Sequence, residues 1–374
     1  MTDRHATCPY RSLPDSAYWK RSVAQPAPAD VNPALRGSFV LSARDKVATA
    51  GSCFAQNIAR FLSRSAYNYF VTEPAPGILP PEHAATYNYG TFSARFGNIY
   101  TTRQLLQLFQ RAYGLFTPQD EAWVHEDRLF DPFRPQIQPL GFASREEYEA
   151  DRHHHLAMVR RMVEELDVFV FTLGLTEAWV SRIDGAVYPV CPGCGAGQFD
   201  PERVEFRNFE IEEVTADLQE ALALLRNQNP ACRIILTVSP VPLIATASGQ
   251  HALPATTYSK SVLRVAAERV ARGLSACDYF PSYEIITGAF TRGAYFGEDL
   301  RSVTTEGIEH VMRCFAEAYL APATPRARVR RGAPPSAAAR PAAPAAKAPA
   351  AAASKSSAAA IVSDLICDEE VLTR

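Results

Sequence analysis

With 374 residues, 47% of them hydrophobic, the chain has ample apolar mass for a large core, as one big α/β domain or two small ones. Its 38 Lys and Arg against 40 Asp and Glu leave a net charge of -2, which excludes a general electrostatic pull toward nucleic acid or an anionic membrane. No window approaches the roughly 18 apolar residues of a membrane span. The opening MTDRHATCPYRSLPDSAYW has no apolar run of the kind that marks a secretory signal, so a cytoplasmic protein is expected. Eight scattered cysteines fit reduced thiols.

In chain order, residues 1–45 read as an arm, rich in Pro and aromatics, packed on a folded domain that spans 46–320. Four apolar runs inside that domain are short, nearly continuous and rich in β-branched or aromatic residues: 46–50, 167–174, 232–240 and 277–286. This is the pattern of parallel strands covered on both faces. Helical periodicity fills the intervals at 53–65, 101–113, 145–166, 210–227, 257–273 and 304–320. The alternation predicts a three-layer α/β/α sandwich with a mostly parallel sheet. Ligands of such sheets bind beyond the carboxyl ends of the strands. The Ala/Pro/Ser/basic tract at 321–360 is expected to be disordered, because it has too little apolar surface to offset ordering entropy. The end, 361-IVSDLICDEEVLTR-374, regains apolar residues and reads as a short docking segment for a protein partner. Its Leu365-x-Cys367-x-Glu369 string matches a pocket-protein ligand and is read as coincidence.

The first strand runs straight into 51-GSCFAQ-56. Gly51 permits a tight turn, and Ser52 sits where a helix N-terminus presents backbone N–H groups and a positive dipole end. A hydroxyl there suits nucleophilic attack, and equally suits plain N-capping. Cys53, entering the helix, reads as a buried neighbour rather than a reactive thiol. The stretch 190-VCPGCGAG-197 looks like half of a zinc knuckle, but no second Cys-x-x-Cys or spaced histidine pair accompanies it. It reads as a loop shaping the substrate pocket, and no metal is assigned. Without a Gly-x-Gly-x-x-Gly or a P-loop, no cofactor is expected.

Gly51-Ser52-Cys53-Phe54-Ala55 spells the name of the GSCFA family. The resemblance extends through 87-YNYGTFSARFGNIYT-101, 171-FTLGLTEAWV-180, 235-ILTVSPVPL-243 and 256-TTYSKSVLR-264. GSCFA domains resemble the SGNH (GDSL-like) hydrolases, which implies a flavodoxin-like sheet and a serine nucleophile that cleaves or transfers acyl esters, often acetyl groups on sugars. By that resemblance Ser52 is the nucleophile. Its backbone N–H and that of Gly90 would form the oxyanion hole, with Gly97-Asn98 as the alternative to Gly90. Gly174-Leu175-Thr176-Glu177 replaces the usual Gly-x-Asn-Asp, so the Thr176 hydroxyl would stand in for the asparagine amide. Glu177 would be an acid, a supporting partner, or simply a carboxylate favoured by a helix start.

The departure comes at Asp299-Leu300-Arg301-Ser302, where the family pattern Asp-x-x-His has lost its histidine. A serine needs a base within hydrogen-bond reach. His5, His83, His125 and His310 lie in unpromising places, and His153, His154 and His155 read as the surface of a charged helix. His251, in the loop after the third strand, would be the base, with Asp299 or Glu177 orienting it. Lys260 is a rival only if burial strips its proton. The expected activity is a serine ester hydrolase or O-acyltransferase acting on a small-molecule or glycan acyl ester. The alternative is a non-catalytic glycan- or protein-binding member of the same fold.

Overall fold

The apolar runs and periodic stretches fold largely where their patterns place them. In the computed structural model, which describes residues 8–120, 122–320 and 368, the order is β1 (Val47–Gly51), α1 (Ala55–Arg64), α2 (Pro81–Thr86), α3 (Thr102–Ala112), β2 (Trp123–His125), β3 (Arg128–Phe130), α4 (Arg145–Glu165), β4 (Val168–Leu173), β5 (Glu177–Ser181), β6 (Val187–Tyr188), β7 (Val204–Asn208), α5 (Ile211–Gln228), β8 (Arg233–Val238), α6 (Ala252–Gly273), β9 (Cys277–Phe280), α7 (Ser282–Thr287) and α8 (Thr305–Tyr319).

The central sheet is parallel throughout, in the order β1-β4-β8-β9. On the far side of β1 a single parallel bridge joins Val47 to Tyr69, with Val47 N–H on the Asn68 carbonyl and Phe70 N–H on that of Val47. The segment around Tyr69 thus takes the place of an edge strand, and the order becomes flavodoxin-like. The chain leaves β1 toward one side and returns on the other. The switch point lies between the carboxyl ends of β1 and β4, where such a sheet opens its crevice.

Alternation along the strands divides the interior into two cores. Phe169, Phe171, Ile234 and Leu236 face α3, α4, α5 and α6, whereas Val168, Val170, Ile235 and Phe280 face α1, α7 and α8. Helices on both faces of one sheet make a three-layer α/β/α fold. A second, antiparallel sheet in the order β6-β5-β7 stands at the carboxyl edge. The sequence pattern places no strands there, because β5 and β7 mix charged and half-buried residues with apolar ones and form no continuous apolar run.

The fourth apolar run is strand only to Phe280. Pro281, unable to donate to a ladder, ends it, and α7 comes next. The arm packs along α8 and the sheet edge. Leu41 bridges to Leu320, Asn32 bonds Glu317, and the Val31 carbonyl contacts His310. The linker 321–360, His5 and the terminal segment, apart from Asp368, lie outside the described residues. Among the described residues no helix is long and apolar enough to cross a membrane.

Candidate active site

β1 ends on Gly51, whose φ of +138° and contact with β4 both require a missing side chain. A Cβ there would collide with the Thr172 carbonyl, its register partner. This close approach delivers Ser52 to the switch point, its N–H directed at the Thr172 carbonyl at 3.3 Å. Ser52 is 3% exposed, and its hydroxyl has no hydrogen-bond partner among the described residues. A buried unpaired hydroxyl costs about 1–3 kcal/mol, a cost that a reactive group repays in function. Cys53 packs with Phe54 and Ile58 in the core under α1, as a structural residue.

The segment 97–101 runs beside Ser52 because a capping box, Thr101 with Gln104, pins the start of α3. Ile99 N–H bonds the Gly51 carbonyl at 2.8 Å, and the Tyr100 carbonyl accepts the N–H groups of Gly174 and Leu175 at 3.1 and 2.8 Å. Gly174 lies between these strands of chain. A Cβ on it would stand 2.9 Å from Ser52 Cβ and 3.0 Å from the Tyr100 carbonyl oxygen. On the other side, the Gly174 carbonyl accepts from Lys260 Nζ at 2.7 Å, and Lys260 on α6 is only 1% exposed. Asn98 is buried with its amide oriented by Gln56, whose Nε2 donates to Asn98 Oδ1 at 3.1 Å. Asn98 Nδ2 in turn donates to the Asp368 carboxylate at 2.9 Å.

Of the residues singled out in the sequence, Ser52, Gly174 and Asn98 come together here. Gly90 sits on an exposed turn, and the Thr176 hydroxyl donates to Asn208 Oδ1 at 2.7 Å. The Ser52 N–H is held by β4. Asn98 thus lies on the segment that runs beside the serine, whereas no contact ties Gly90 to it among the described residues. Glu177 accepts from Thr246 at 2.7 Å, and burial raises its pKa. It walls a cavity of about 310 Å³ with Tyr100, Trp179, Cys191 and Cys194. Cys191 is pushed up to about 12 by burial and by its neighbour Cys194. Among the described residues no group of three or more His, Cys, Asp or Glu is placed to hold a metal ion.

His251 is exposed and caps α6, its Nδ1 accepting the Leu253 N–H at 3.1 Å. Asp299 is bound within its own loop. Burial opposes its charge, but the Ser302 hydroxyl and the N–H groups of Arg301 and Ser302 hold its pKa low. His155, expected at the surface, is instead buried against Glu73 at 2.9 Å. His310 lies between the Tyr295 hydroxyl and the Val31 carbonyl. No described histidine bonds Ser52.

Sequence patterns alone pass over Gln56 and Tyr100. Gln56 carries a usable signal, a polar residue four positions after Ser52 on the face that α1 buries. Asp368 carries none.

Compared with known proteins, residues 46–315 match the family model described as the GSCFA family. No curated protein matches the chain.

Proposed function

The chain belongs to the GSCFA family, and from that premise we propose that it is a serine-dependent acyl-transfer enzyme of SGNH type. Ser52 attacks the carbonyl of an O-acyl ester on a small molecule or glycan. The alkoxide leaves with a proton, and the acyl-serine is resolved by water or by an acceptor hydroxyl. The observation that carries this reading is the Ser52 hydroxyl itself, buried and unpaired at the switch point, with a glycine at 174 clearing the space over it. Asn98, its amide fixed by Gln56, supplies the oxyanion donor. The cavity bounded by Tyr100, Glu177 and Trp179 receives the alcohol or glycan part.

For the base we favour Lys260 over His251. Lys260 is buried and reaches the carbonyl of the residue that backs Ser52, whereas His251 is exposed at the start of α6, its Nδ1 taken by the Leu253 N–H. An amine that accepts the serine proton during attack returns it to the leaving alkoxide, the same two-way role that an imidazole plays. A fluorophosphonate should label wild-type protein and fail on Ser52→Ala. Lys260→Met and Lys260→Arg should both slow labelling by about 10²-fold or more. Full labelling of Lys260→Arg would assign Lys260 to structure alone. The same measurement decides a second reading, a non-catalytic binding member, which is favoured by the lack of an imidazole on Ser52 among the described residues. That reading requires folded wild-type protein that never labels.

A further inference from the structure

Asp368 is set far from this site in sequence. It lies 270 positions after Asn98, beyond the domain and beyond the Ala/Pro-rich tract. Nevertheless it is 4% exposed and seated on the segment beside Ser52. Its Oδ2 accepts from Asn98 Nδ2 at 2.9 Å and lies 3.5 Å from the Tyr100 hydroxyl, and its backbone N–H donates to that hydroxyl at 3.0 Å. Gly97, Asn88, Arg134 and Gln136 wall in the same spot.

The donor set explains why an acidic side chain occupies it. The Gln56–Asn98 bond turns the oxygen of the Asn98 amide away and leaves its NH2 as a donor, which an acceptor must meet. Tyr100 adds a hydroxyl that receives as well as gives. Arg134, paired with Asp131 and Asp151, lines the same spot. A carboxylate satisfies this cradle, and so does the oxygen of a tetrahedral intermediate.

We infer that Gln56, Asn98 and Tyr100 form a carboxylate-binding subsite beside Ser52, and that the chain fills it in cis with Asp368, which competes with the substrate. The subsite rests on the contacts alone; only its inhibitory consequence rests on the proposed activity. The 47 residues between Leu320 and Asp368 permit a tether of up to about 160 Å, so reach is no obstacle. Tethering supplies an effective concentration in the millimolar range, enough for a contact of weak intrinsic affinity to hold the subsite until a stronger ligand displaces it.

Two measurements on full-length protein separate the subsite from the chemistry. In the first, a fluorescein-labelled synthetic peptide of residues 361–374 is titrated by anisotropy against Ser52→Ala and against Ser52→Ala/Asp368→Ala. The double variant should bind about tenfold tighter, because its own occupant is gone. A peptide carrying Asp368→Ala should lose this binding, and sodium acetate should compete with the wild-type peptide. In the second, fluorophosphonate labelling of Ser52 should be about tenfold faster in Asp368→Ala than in wild type, and the wild-type peptide added in trans should slow it again. Peptide binding without labelling in any variant would uphold the subsite and sink the acyl-transfer reading. Labelling at equal rates in wild type and Asp368→Ala, with no Asp368-dependent peptide binding, would sink this inference and leave the acyl-transfer reading standing. Absence of both signals overturns the inference as well.

Discussion

Gly174 is the residue most tightly constrained by the site's geometry. It touches the serine on one side and the Tyr100 main chain on the other, and its carbonyl holds Lys260. Gly174→Ala has ordinary backbone freedom but no room for the new methyl, and overpacking of this kind costs about 1–3 kcal/mol. The methyl would push Ser52 or the Tyr100 segment aside, and a nucleophile displaced by about 1 Å loses on the order of 10²-fold in rate. We expect a modest drop in Tm and a far larger drop in fluorophosphonate labelling. A labelling rate that falls only in step with the folded fraction would show that the glycine serves stability alone. The place of Gly51, Ser52 and Gly174 at the carboxyl ends of parallel strands was legible from the apolar runs. The proximity of Lys260 was not, because α6 brings it in from 86 positions away.

Between elements, a buried ionic network fastens the 73–95 segment and the 131–137 loop to α4. Arg95 pairs with Glu73 and Asp151, Arg134 pairs with Asp131 and Asp151, and His155 bonds Glu73. Burial works against the Glu73 carboxylate, but His155, Arg134 and the Arg95 N–H overrule it and hold it at about 2. Burial, with Arg134, depresses His155, so the ring is neutral at neutral pH and supports Glu73 by hydrogen bonding rather than by charge. Both folded-state pKa values lie below their unfolded values, so both contributions are complete at high pH and are lost on acidification. The loss begins below about pH 6.5 for His155, and below 4.5 toward 2 for Glu73. Glu73→Gln should destabilise the protein by about 3–5 kcal/mol at neutral pH. It should also flatten the fall in urea midpoint between pH 4.5 and about 3. An unchanged acid slope would remove Glu73 as its source. The burial of His155 was readable in principle from the spacing 155, 159, 162, which puts it on one helix face with Val159 and Met162. The charged run around it masked that signal.

At the scale of the whole molecule, one sheet serves two cores, each packed on one of its faces. Phe315 meets the rings of Phe61, Phe280 and Tyr319 on one face, and Phe109 packs on Phe169 on the other. Phe315→Ala should cost about 3–5 kcal/mol. Because β4 and β8 carry both cores, unfolding should remain one transition by fluorescence and by circular dichroism. Two separated transitions would show that the faces unfold independently. The sequence by itself determined the layer architecture, since the periods of its apolar residues, 2 or near-continuous in strands and 3.6 in helices, are local properties. It also determined which serine stands at a strand end. The antiparallel sheet after β4 was beyond its reach, because its longer strands, EAWVS and VEFRN, mix charged and apolar residues and carry no continuous apolar run. Which groups surround Ser52 was decided by tertiary structure alone. The arrival of Lys260 on α6 and the seat of Asp368 on Asn98 are contacts between distant segments, set by packing and hydrogen bonding across the crevice.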